Sequence, residues 1–115
     1  MKRYKVELLP AAWQDIDEIS DYLIVKNVQA AARIIDLLLT EMRKLTIMPE
    51  ARPYVRDEEL RRQGYRALVC GKYICIYKIV GNTVFIHHVV HGARDYPLIF
   101  KEETVQDSER KNEDT

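Results

Sequence analysis

Cysteine is scarce in this sequence, two in 115 residues, which excludes a small secreted scaffold held together by disulfides. Cys70 and Cys75 match no zinc-binding spacing and read as packed thiols. Net charge is missing as well, with 18 Lys and Arg against 18 Asp and Glu. A zero balance excludes a bulk nucleic-acid coat and a polybasic membrane binder, both of which need excess Lys and Arg. Long apolar runs are also lacking: charge interrupts every stretch before the roughly 18 to 20 residues that a membrane span requires. The basic start, Lys2, Arg3 and Lys5, is cut by Glu7 and Pro10 before a secretory apolar region develops, so a cytoplasmic location is expected.

What remains is the arithmetic of one globular domain, with 47% apolar residues in a chain long enough for a single core. Residues 4–9 alternate apolar and polar, the period of a half-buried strand. Pro10 follows, at a position where a helix begins without losing a needed N–H. Trp13, Ile16, Ile19 and Leu23 recur at helical spacing, with Asp15, Asp17, Glu18 and Asp21 between them as a solvated acidic face in turns the helix dipole favours. Asn27 is a natural N-cap for a second helix. On it Ala31, Ile35, Leu38, Met42 and Leu45 form an apolar seam. The two segments read as an antiparallel helical hairpin that buries this seam on a sheet.

Pro49 ends the helical region, and residues 49–63 read as a charged connection. Three strand-like runs follow, 65–70, 73–80 and 83–90, joined by Gly71-Lys72 and Gly81-Asn82, which suit type II′ turns. The expectation is a three-stranded antiparallel meander with Cys70 opposite Tyr73 and Val80 opposite Thr83. Strict alternation puts Arg66, Leu68, Cys70, Cys75, Tyr77 and His88 on one face. Tyr65, Ile76, Lys78, His87, Val89 and His91 fall on the other. One face covers the hairpin, and the second awaits the end of the chain or a partner. In this register the cysteines are diagonal neighbours, poorly placed for a disulfide. Residues 101–115 hold one aliphatic side chain, Val105, and twice as many acids as bases; a disordered tail is expected after a domain at 1–100.

The order of these segments, with Pro10-Ala11-Ala12, Asp15-Ile16-Asp17-Glu18-Ile19 and Tyr22, then Gly64-Tyr65-Arg66, Tyr73-Ile74-Cys75-Ile76-Tyr77 and Val90-His91-Gly92-Ala93-Arg94-Asp95, resembles the RelE/ParE superfamily of toxins from bacterial type II toxin–antitoxin systems. The resemblance implies an α+β fold: N-terminal strand, two-helix antiparallel hairpin, antiparallel β-meander and short C-terminal helix. It implies a cognate antitoxin as partner and no cofactor. RelE-like members cut ribosome-bound mRNA, whereas ParE-like members inhibit DNA gyrase.

Metal-free RNA cleavage requires cations and an acid/base group converging on one phosphate. Arg94 matches the C-terminal arginine of the RelE pattern and Arg66 one member of its basic cluster, but Leu68 and Ile74 stand where further bases belong. Phe100 occupies the place of a catalytic tyrosine and transfers no proton. On the nuclease reading, the acid/base role falls to His87, His91 or Tyr96, with Arg66, Lys78 and Arg62 holding substrate. A structural role is expected for His88. His87 and His91 lie about 13 Å apart along a strand at ~3.3 Å per residue, too far for a shared metal. On the ParE reading no catalytic residue is needed, and an inert, antitoxin-binding relative is the third alternative. Charge is also segregated: residues 52–94 hold eight bases against three acids, a local cationic region inside a neutral chain.

Overall fold

The computed structural model describes residues 2–92 and 96–100. The chain opens with strand β1, Lys5–Leu8, and helix α1, Pro10–Lys26. Pro10 is in the first helical turn, as its missing N–H suggests. That turn holds no acid, so the dipole expectation for the acidic residues fails; they lie further along α1. Asn27 separates α1 from α2, Val28–Arg43, and its side chain accepts the Ala30 N–H at 3.0 Å. A 3-10 turn, Lys44–Thr46, follows α2, and the charged connection contains a second, Pro49–Ala51, and a short helix α3, Glu58–Arg62. Asp57 caps α3 by accepting the Leu60 N–H at 3.0 Å. Strands β2, Arg66–Cys70, β3, Tyr73–Val80, and β4, Thr83–His91, complete the sheet. Residues 96–100 form a last helical turn, α4.

The sheet order is β1-β4-β3-β2, the meander antiparallel and β1 added parallel to β4. Both hairpins have the expected register, Cys70 opposite Tyr73 and Val80 opposite Thr83. Gly71 and Gly81 have φ of 60° and 59°, while neither Lys72 nor Asn82 has positive φ. That combination is type II′, whose handedness matches strand twist. The hairpin seam residues Leu38, Met42 and Leu45 pack on Leu68, Cys75, Tyr77, Val84 and Ile86 in the main core. The other face carries a second core of Val55, Leu60, Tyr65, Ile76 and Val90, which Tyr96, Ile99 and Phe100 of α4 cover. Residues 96–100 thus close the sheet face that the pattern left open.

Strict alternation fails at one point. Ile76 pairs with His88 and Tyr77 with Ile86, so His87 is the extra residue of a β-bulge. Everything beyond it on β4 changes face. Val89 joins the main core, and His91 pairs with Tyr73 on the hairpin side. His88 turns to the second face, its ring 5.0 Å from that of Phe100. Of the company expected on one face, His87 and Lys78 stay together and His91 leaves, because a two-residue period cannot represent an inserted residue.

Candidate functional site

Parallel pairing of β1 with β4 ends at Leu8 and Ile86, and α1 then runs beside the exposed edge of β4. Asp15 fills the gap. Its Oδ2 accepts the Val89 N–H at 2.9 Å and contacts His88 Nδ1 at 2.8 Å. His88 is only 4% exposed, so the pair satisfies an imidazole that would otherwise be buried at a cost of kilocalories. The structural role expected of His88 is what the geometry provides.

On the second face, Tyr65 stands between His87 and Lys78. The His87 ring meets it edge-on at 4.9 Å, and Lys78 Nζ lies 5.4 Å from its centroid. Phe100 closes the cluster, 4.9 Å from Tyr65 and 6.3 Å from His87. Burial, the neighbouring His88 and the Lys78 charge push the His87 imidazole down to about 4. At neutral pH the His87 imidazole is therefore neutral and lacks the imidazolium proton a general acid would give up. Phe100 is buried and half-buried Tyr96 packs against the same core. His91 belongs to the opposite face, its ring 5.7 Å from Tyr73.

The cations divide as well. Arg66 Nη1 donates to the carbonyls of Glu50 at 3.0 Å and Arg52 at 2.6 Å, with its guanidinium 3.9 Å above the Tyr54 ring. It holds the connection against β2, together with the Tyr77 hydroxyl, which donates to the Pro49 carbonyl, and the Ala67 N–H, which donates to Pro53. Met48 adopts φ 51° to turn the chain into that anchored segment. Arg62 is exposed and pairs with Glu58 at 3.0 Å and Glu59 at 3.7 Å. Arg94, the remaining residue of the proposed nuclease set, lies outside the described residues, as do Asp95 and the tail. The structure therefore brings together His87, Lys78 and Tyr65, places Tyr96 against the same core, and sends His91, Arg66 and Arg62 elsewhere. Among the described residues, no three His, Cys, Asp or Glu side chains come together as a metal site requires.

A second feature is larger. Between the helical hairpin and the β2–β3 end of the sheet runs an open groove of about 740 Å³. Asp15, Glu18, Tyr22 and Lys26 line it from α1, Leu37 from α2, and Cys70, Lys72, Tyr73, Val89 and His91 from the sheet. Tyr22 and Leu37 are 60% and 45% exposed, apolar surface that a lone soluble domain gains nothing by showing to water. The groove's walls are largely apolar, with acids along one stretch of α1 and Lys26, Lys72 and His91 also in the lining. The alternating pattern hid the groove because Val89 and His91 reach it only through the bulge.

This arrangement, a helical hairpin on one face of a four-stranded mixed sheet and a C-terminal turn on the other, is that of solved toxin structures. The chromosomal ParDE toxin–antitoxin system from P. aeruginosa matches with a TM-score of 0.68 at 15% identity, over 79% of this chain and 98% of that one. The toxin–antitoxin complex RelBE2 from Mycobacterium tuberculosis matches with a TM-score of 0.53 at 23% identity, over 82% and 97%. No curated protein sequence matches significantly. The family model of the ParE toxin of the type II toxin–antitoxin system parDE spans residues 6–96. The chain belongs to this ParE toxin family, within the RelE/ParE superfamily.

Proposed function

We propose that this toxin arrests growth by binding a protein target, DNA gyrase, and not by cutting mRNA, and that its antitoxin neutralises it by occupying the groove. The observation that carries the reading is the dispersal of the nuclease set. Among the described members, Arg66 Nη1 donates to two carbonyls, His91 faces away from His87, the His87 imidazole is uncharged at neutral pH, and Phe100 has no proton to give. Phosphodiester cleavage needs these groups within hydrogen-bond reach of one phosphate; inhibition by binding needs a surface. For the antitoxin, the support is the exposed apolar groove, suited to an amphipathic helix laid along it. Induced expression in a bacterial host, followed by mapping of mRNA 5′ ends and assay of the DNA-damage response, tests the proposal. Growth arrest with intact messages and induced damage signalling is expected. Codon-linked cuts would overturn it in favour of a nuclease built on His87, Lys78 and Arg94, and unimpaired growth would leave an inert antitoxin-binding relative.

A further inference from the structure

The groove carries charge along its length, and the sign changes from one end to the other. Leu9 N–H donates to the Ile86 carbonyl at 3.0 Å, and Asp15 accepts the Val89 N–H at 2.9 Å. Helix α1 and strand β4 therefore advance side by side, ~9 Å from the first contact to the second. Past Val89, β4 ends at His91 after ~7 Å, whereas α1 continues ~16 Å from Asp15 to Lys26. The hairpin thus overhangs the end of the sheet by about two helical turns. One stripe of α1 lines the groove here: Glu18, Tyr22 and Lys26, four residues apart and so on one helical face. Glu18 stands over the sheet and Lys26 at the outer end of the overhang, ~12 Å away. Lys72 joins the lining further out than Glu18, in the turn whose carbonyl accepts the Gly92 N–H at 2.8 Å, just past the last residue of β4. Asp15 is committed to Val89 and His88, but the other charges are little used. Among the described residues Glu18 meets only the Gln14 amide, at 3.5 Å, Lys26 only Tyr22, and Lys72 forms no ion pair.

On the proposed reading of the groove as the antitoxin's seat, we infer that charge order fixes the direction of its occupant. That occupant is an amphipathic helix with a basic residue over Glu18, an acidic residue toward Lys26 and Lys72, and apolar side chains between them on Leu37 and Tyr73. The apolar walls alone set no direction, because the burial of apolar area is indifferent to which way a helix lies. Charge is not. The ~12 Å between Glu18 and Lys26 matches about eight residues of a helix lying alongside, so the base and the acid stand two turns apart on the occupant's inner face. Turned end for end, the same helix sets its base against Lys26 and Lys72 and its acid against Glu18. Those repulsions exclude the wrong direction more than the ion pairs hold the right one. Glu18, Lys26 and Lys72 therefore determine which helices fit, and the apolar wall supplies the affinity.

The test measures association of the purified full chain with the product of the adjacent reading frame by titration calorimetry, with thermal melts to verify folding. Glu18→Lys adds positive charge and Lys26→Glu adds negative charge, yet each should weaken binding about tenfold. Asp17→Lys makes the same change as Glu18→Lys one residue away, outside the groove lining, and should bind like the parent. If Glu18→Lys and Lys26→Glu move the affinity in opposite directions, or if Asp17→Lys loses as much as Glu18→Lys, the partner responds to overall charge and the inference is overturned. Parental affinity in both groove variants with loss in Leu37→Glu would also overturn it, while keeping the groove as the antitoxin's seat. Parental affinity in Leu37→Glu as well would overturn both readings.

Discussion

Asp15 shows how much one side chain decides in a small domain. Where β1 stops, β4 loses a neighbour, and a carboxylate on α1 supplies the acceptor that Val89 needs while holding the His88 imidazole. Removing it leaves an amide and a nearly inaccessible ring without that acceptor, and hydrogen bonds to charged groups contribute about 1.5 to 3 kcal/mol each. Asp15→Ala is expected to destabilise the fold by ~3 kcal/mol, read as a fall in the urea midpoint at unchanged slope. In sequence, Asp15 was indistinguishable from Asp17, Glu18 and Asp21 on what looked like a solvated face. Helical period marks which residues face the sheet, not which one meets a strand edge. His87 offers a second measurement. Its imidazole titrates about 4 in the folded protein against roughly 6.5 unfolded. Between those values the unfolded chain binds the extra proton, so stability rises with pH across that window and is lost as pH falls through it. NMR titration of the His87 ring should give a midpoint near 4, and His87→Gln should flatten the stability profile from pH 6.5 downward. A midpoint near neutrality would return His87 to candidacy as an acid/base group.

At the scale of elements, most of the architecture was legible because local signals agreed with each other. Gly71 and Gly81 set both hairpins in register through turn geometry alone, and the Leu38–Met42–Leu45 seam named the face of α2 that meets the sheet. Asn27 does double service: its backbone N–H closes α1 on Leu23, and its side chain opens α2 at Ala30. Since both helices present one seam to the sheet, an N-cap loss at their junction is felt by the whole hairpin. Asn27→Ala should cost about 1 kcal/mol in equilibrium unfolding, with Asn27→Ser close to the parent; an unchanged midpoint in the alanine variant would mean the junction is held by packing alone. Two features stayed out of reach. The bulge at His87 breaks a periodicity that is otherwise obeyed, and α3 sits within a charged stretch whose apolar content, Val55 and Leu60, is too thin to show a period. The anchoring bonds of Arg66 were out of sight for a related reason: only a fold that brings residues 50 and 52 against β2 gives its guanidinium two carbonyls to hold.

For the whole molecule, the two sheet faces have different fates. One is sealed by α4, which places Phe100 over Tyr65 and His87; the other is only partly covered by the hairpin and keeps the groove. A partner that controls this protein has most to gain on the unsealed side, where apolar area is already exposed and its burial is worth roughly 25 cal/mol per Å². Leu37 tests this, because it lines the groove yet is 45% exposed, so its replacement opens no cavity in the core. Leu37→Glu should leave the melting temperature within a degree or two, since exposed substitutions cost about 0.5 kcal/mol or less. A carboxylate forced under a docked apolar side chain, by contrast, is desolvated without a partner, and association with the adjacent gene product should fall by at least about tenfold, or ~1.4 kcal/mol. Trp13 is the control: 48% exposed on α1 but outside the groove lining, its serine variant should bind normally. In cells the same pair separates the surfaces. A strain carrying Leu37→Glu should no longer be rescued by the neighbouring gene, whereas the Trp13 variant still should be. Rescue of Leu37→Glu with loss of rescue in the Trp13 variant would place the antitoxin on the outer face of α1 instead.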